Sequence, residues 1–230
     1  MSSIQPFTSV RVRSAGFTLI EMIGVLAIIA ILAAAVAPRV FEVIADSRGT
    51  RMATEIRALE TAVTRYYADV GTIQDLSAAG VPQIDATGTS YYLTLTSRIP
   101  LDAGNAGVAG QWSRFNGPYL EKFIATDPGI GTAQLLSVQN PAGDSTVAAT
   151  TTNFAFDLDN AGAANDTPDN GPEVMVVLQV SGVDQGDFEK VDSIFDDGVA
   201  TTAAEKLTKG RVKFDNTSTP TVMTVLIAYR

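Results

Sequence analysis

Two groups of carboxylates hold most of what this sequence offers chemically. The first is a single residue, Glu21, inside the apolar stretch "SAGFTLIEMIGVLAIIAILAAAVAPRV" that runs from Ser14 to Val40. The second is a dense set, Asp157, Asp159, Asn160, Asn165, Asp166, Asp169, Asn170 and Glu173, within "FDLDNAGAANDTPDNGPE". Neither comes with a nucleophile and base. The 230 residues contain no histidine and no cysteine, which excludes disulfides, thiolate nucleophiles, Cys/His zinc sites and a Ser-His-Asp relay. Acidic residues are numerous in the C-terminal loops, but nothing places a pair of them around a substrate, so an enzyme is not expected. A formal charge of −9 opposes bulk attraction to polyanions, and nucleic acid is not an expected partner.

The dense set supplies hard oxygen ligands of the kind calcium takes. Asp157, Asp159 and Asn160 open like an EF-hand loop, but Ala161 stands where a third ligand belongs and Pro168 where the bidentate glutamate should be. A true EF-hand is therefore excluded. Two readings stay open: an irregular calcium loop built from Asp157, Asp159, Asn165, Asp166 and Asp169, and an ordinary polar turn whose Asn and Asp serve turn geometry.

Glu21 poses a different problem. As a helix, Phe17 to Ala37 would measure about 31 Å, close to the hydrocarbon thickness of a bilayer. Arg11 and Arg13 precede it without an acidic residue, so the positive-inside bias keeps residues 1–16 in the cytoplasm and sends the C-terminal bulk across. Ala35-Val36-Ala37 has the look of a signal-peptidase site, but Pro38 directly after the cut and the length of the apolar run argue against it. A plain membrane anchor leaves Glu21 unexplained, because an ionised group in a span is costly and requires a partner.

Gly16, Phe17, Glu21, the unbroken apolar run and Pro38 together resemble the N-terminal cleavage and methylation segment of type IV pilins and type II secretion pseudopilins. The resemblance implies that a prepilin peptidase at the cytoplasmic face cuts after Gly16 and methylates the new amine of Phe17. It implies that Glu21 lies beside the Phe17 amine of a neighbouring subunit in a helical homopolymer, and that an inner-membrane platform protein and an assembly ATPase drive that assembly. "NGPYLEKFIATDP", from Asn116, is similar to a loop of the major pseudopilins, in which calcium sites are known. The implied course is a single-pass precursor in the cytoplasmic membrane, N-terminus inside, which then enters a periplasmic or extracellular filament.

Positioning these groups requires a long helix and a head. After Pro38, Met52, Ile56, Leu59, Val63 and Tyr66 recur at steps of three or four, one apolar stripe of a helix ending near Val70. Arg51, Glu55, Arg57, Glu60 and Arg65 lie opposite, as a solvated face or as inter-subunit ion pairs. Pro38 should kink or loosen this helix, and Gly49 is a second weak point. Beyond Gly71, strands are expected from Ser90, Ala133, Asn153, Val174, Gly210 and Thr221, and Phe188, Val191 and Phe195 mark a short second helix. Trp112, Phe115 and Tyr119 read as core rather than as an adhesive patch.

The fold class is α+β, a long helix laid on an antiparallel sheet. Its parts are a leader 1–16, a membrane and filament-core segment 17–37, an amphipathic half 38–70 and a head 71–230. The leading function is a structural subunit of a type IV pilus or pseudopilus. The alternative is a minor pilin or membrane-anchored binding module, such as a calcium-dependent adhesin.

Overall fold

A computed structural model describes residues 17–77, 81–84, 91–96, 110–123, 126–127, 131–139, 156, 174–197, 202, 205–206 and 209–230. The chain divides into two compact units, Met1–Val43 and Ile44–Arg230. Helix α1, Leu19–Val70, contributes to both. In the first unit, every described residue from Phe17 to Val43 is exposed, including the large apolar ones.

In the second unit α1 turns amphipathic. Met52, Ile56, Leu59, Val63, Tyr66 and Val70 are buried, as the helical spacing requires. They pack in one core with Leu135, Val176, Leu178, Val180, Met223 and Val225. Those residues come from a five-stranded antiparallel sheet containing β3 (Thr126–Asp127), β4 (Gly131–Gln139), β5 (Val174–Ser181), β6 (Val212–Asp215) and β7 (Val222–Tyr229), in the order β3-β4-β5-β7-β6. A smaller cluster of Leu136, Val138, Met175, Val177 and Leu226, with Phe156, lies on the sheet's other side. Burial on both faces explains why "VMVVLQV" is almost continuously apolar instead of alternating. The short antiparallel pair β1 (Asp75–Leu76) and β2 (Pro82–Gln83) completes the described strands.

Four expected strands are present, at Ala133, Val174, Gly210 and Thr221, and the expected second helix is α3, Gln185–Phe195. The stretch from Ser90 is a correction: Tyr91–Thr96 forms helix α2. Its β-branched and aromatic content suits a strand, but Tyr91, Thr94 and Leu95 are the buried positions, a helical period. Tertiary hydrogen bonds decide the matter. The Tyr91 hydroxyl donates to the Ile73 carbonyl at 2.6 Å, and Thr94 Oγ1 donates to Asp75 Oδ1 at 2.5 Å. Gln83 Nε2 donates to the other oxygen of Asp75 at 3.1 Å, so one buried carboxylate ties α2 to the β1–β2 pair. Of the strand expected from Asn153, only Phe156 is among the described residues.

Pro38 and Gly49 do not end α1, which runs through both positions. Gly49 has a packing reason. It is buried, and a Cβ built there would meet Lys190 Cγ at 2.4 Å and Lys190 Cβ at 2.7 Å, so the lysine stem of α3 crosses α1 over a position with no side chain. Ion pairs flank the crossing: Lys190 Nζ to Asp46 at 2.8 Å and Arg48 to Asp187 at 3.8 Å.

The charged face of α1 is engaged within the chain. Arg51 lies 3.5 Å from Glu55, Glu60 accepts from Arg211, and the Arg57 guanidinium sits 5.7 Å from the Phe195 ring centroid. The solvated and inter-subunit readings therefore both miss Glu60, whose partner is the approach to β6.

Leucine favours helix more than glycine does, so Gly49→Leu isolates the collision with Lys190. It is expected to destabilise the folded chain by about 1 to 3 kcal/mol through overpacking. Thermal unfolding of the detergent-solubilised protein checks this, and a melting temperature at or above that of wild type would contradict the close crossing.

Candidate processing and assembly site

The first turn of α1 is closed by reciprocal hydrogen bonds. The Thr18 backbone N–H donates to Glu21 Oε2 at 2.8 Å, and the Thr18 hydroxyl donates to the same oxygen at 2.7 Å. In return, the Glu21 backbone N–H donates to Thr18 Oγ1 at 3.3 Å. The Met22 N–H then donates to the Thr18 carbonyl at 3.2 Å, opening the helical ladder. This is a capping box: a threonine at the helix entry and a glutamate in the first turn satisfy N–H groups that the helix leaves without intrahelical partners.

Thr18 is thus a capping residue that the sequence pattern alone did not single out. Its signal was available, since Thr-x-x-Glu immediately before an apolar run is the written form of the motif. The box changes what Glu21 is. Its carboxylate lies at the positive end of the helix dipole with Oε2 already bonded twice, so the single subunit meets part of the anion's needs itself. Among the described residues, Oε1 has no hydrogen-bond partner.

Phe17 is 78% exposed, directly before Thr18. Gly16 lies outside the described residues. Pro38 is an exposed position within α1. Between Phe17 and Pro38, Glu21 is the sole charged side chain. The helix contains an 18-residue window of mean hydropathy 2.7, none of it buried, long and apolar enough to cross a membrane. That geometry offers one partly satisfied anion, four residues from Phe17, where cleavage would create an amine, on a surface otherwise suited to lipid or to other helices.

The candidate calcium residues Asp157, Asp159, Asn165, Asp166 and Asp169 lie outside the described residues. Among the described residues, no group of three or more Asp or Glu is placed to hold a metal. Phe156, directly before Asp157, is buried, and the ammonium of buried Lys213 lies 4.7 Å from its ring centroid.

The aromatic cluster is core, as read. Trp112 and Phe115 are buried with ring centroids 5.2 Å apart, and Trp112 Nε1 donates to the Ser77 carbonyl at 2.8 Å. Tyr119 stands edge-on to both Phe115 and Tyr66, and its hydroxyl donates to Asp69 at 3.0 Å. Burial pushes that hydroxyl up to about 12, with the Asp69 carboxylate adding to the shift. It stays a neutral donor at physiological pH.

Residues 11–37 match the model of the prokaryotic N-terminal methylation motif. Neither a curated protein nor a solved structure matches the chain. The motif covers Glu21, the capping threonine and the start of the exposed apolar helix, so the N-terminal segment of this chain carries a prepilin-type methylation signal, the one found in type IV pilin and pseudopilin precursors.

Proposed function

We propose that the chain is the structural subunit of a type IV pilus or pseudopilus filament, released for assembly by cleavage after Gly16 and polymerised through its N-terminal helix. The observation that carries this reading is the half-satisfied carboxylate of Glu21 on a helical stretch that is otherwise uncharged and exposed as far as Pro38. Hydrolysis of the Gly16–Phe17 peptide bond gives Phe17 an amine, which is cationic when protonated and keeps its charge on methylation. Oε1 of Glu21 in one subunit then accepts a charge-assisted hydrogen bond from Phe17 of the next. Donor and acceptor lie on different surfaces, so the contact repeats head to tail and generates an open helical polymer.

Before assembly the same helix resides in the cytoplasmic membrane, where lipid covers the surface that neighbouring subunits later cover. The capping box serves this stage by reducing the exposure of the carboxylate to hydrocarbon. The prepilin peptidase, platform protein and assembly ATPase are the partners this course requires.

Glu21→Gln keeps side-chain shape and hydrogen-bonding capacity while removing charge. It is expected to leave the Phe17 N-terminus in place, read by intact-protein mass spectrometry, and to reduce sheared filament at least tenfold relative to cell-associated subunit, consistent with loss of a counter-charge at a buried amine. Wild-type filament yield from the Gln variant, or a mature N-terminus at Met1 or Pro38, would contradict the proposal. Thr18→Ala addresses the membrane stage alone. Without the hydroxyl, less precursor is expected to insert, and Thr18→Ser should restore insertion because it keeps both side-chain bonds. Equal insertion of the alanine variant and wild type would remove the box from that role.

A further inference from the structure

The C-terminal end of α3 is built against electrostatic preference. Asp192 sits in its last turn, Asp196 is its C-cap, Asp197 follows, and the turn contains no basic residue, although the negative end of a helix dipole favours cations. Asp192 is only 3% exposed, and its Oδ1 has no hydrogen-bond partner among the described residues.

Asp196, one turn on, has a structural duty. Its Oδ2 accepts from the backbone N–H of Val212 at 2.8 Å, and the Arg211 N–H also bonds the carboxylate, so the start of β6 hangs on it. The approach is close: a Cβ at Gly210 would lie 2.5 Å from Asp196 Oδ2, and Gly210 itself has φ +73°.

The charged groups around the pair are drawn elsewhere. Lys206 binds Glu189 at 2.7 Å and lies over the Phe188 ring, while still pulling on Asp192 through space. Arg211 engages Glu60 of α1 and the Leu226 carbonyl and stacks on Phe195, which Arg57 of α1 also faces. Lys209 pairs with Glu205 at 3.0 Å. On the far side of α3, Lys190 and Arg48 are taken by Asp46 and Asp187.

We propose that Asp192 and Asp196 form a proton-operated latch on the sheet edge: a protonated Asp192 leaves Asp196 free to hold β6, and a deprotonated Asp192 repels it and loosens the hold. Burial and the neighbouring Asp196 push the Asp192 carboxyl up to about 6, against the pull of Lys206. Burial raises Asp196 as well, opposed by the two backbone donors and by Arg211. The folded form therefore binds the Asp192 proton more tightly than an opened form does. Stability from this group is fully present below the ordinary value of 3.8 and is lost as pH rises through about 6. The edge that carries β6 is firm in mildly acidic surroundings and looser in alkaline ones.

Amide hydrogen exchange of the full chain in detergent micelles tests this, with rates corrected for the intrinsic pH dependence of exchange. Protection of the Val212 N–H is expected to fall roughly tenfold between pH 5 and pH 8. Val177 in β5 should not change. Asp192→Asn should hold Val212 at its acid-side protection across the range. Constant protection in wild type, or the same fall in the Asn variant, would overturn the latch. A second measurement does not depend on that variant folding: the midpoint of the wild-type transition should move upward in Lys206→Gln, which removes a counter-charge, and a midpoint unmoved or lowered would overturn the assignment equally.

Discussion

A carboxylate in the first turn of an apolar helix needs hydrogen-bond donors, and only some of them lie among the described residues of its own chain. Thr18 gives Glu21 two bonds to one oxygen. The helix dipole adds a favourable field, because the residue stands at the N-terminal end. Among the described residues no other donor reaches the carboxylate, and water, lipid headgroups or another molecule can meet the remaining lone pairs. In a bilayer, the first turn is close enough to the interface for the first two to serve. Inside a bundle of helices neither is available, and the amine that the proposed cleavage would create at Phe17 is the complementary group the chain itself would provide. On the proposed function the N-terminal segment suits two environments, with a local arrangement for one and an intermolecular arrangement for the other.

The second unit is organised around a different constraint, namely that the sheet must be covered on both faces. The apolar stripe of α1 from Met52 to Val70 covers one face, and the smaller cluster with Phe156 lies on the other. α3 is fixed against α1 by a crossing at Gly49 with an ion pair on either side. Strand β6 is held from two directions, by Asp196 at its first residue and by hydrogen bonding to β7 along its length. Arg211 joins these parts, since its guanidinium reaches Glu60 on α1 and the Leu226 carbonyl on β7. Charge in this unit acts between elements more than toward solvent.

How much of this was legible in the sequence depended on the range of the forces involved. The α1 stripe, the two dense strands at Val174 and Thr221, and α3 follow from periodicity and composition, which are local properties. Tyr91–Thr96 was misread because its side chains favour a strand locally, while Asp75 and the Ile73 carbonyl, distant in sequence, reward a helical turn. Gly49 looked like a weak point because its neighbour Lys190 is far along the chain. Glu60 read as solvated or as paired between subunits for the same reason, its partner Arg211 lying far along the chain. Thr18 is the opposite case: its contact is wholly local and its Thr-x-x-Glu motif is readable in the sequence. The proposed pairing of Phe17 with Glu21 rests on chemistry alone, because an anion beside a nascent amine does not require knowledge of the fold.

The intermolecular pairing of Glu21 with Phe17 is best tested by solid-state NMR on filaments assembled from a mixture of two subunit populations, one labelled with nitrogen-15 at the Phe17 amine and the other with carbon-13 at the Glu21 carboxyl. Dipolar recoupling between the labels reports only contacts between different subunits. Strong dephasing, corresponding to a separation within about 4 Å, is the expected result. Filaments that form normally and show no such dephasing would contradict the pairing of Glu21 with the N-terminus of its neighbour.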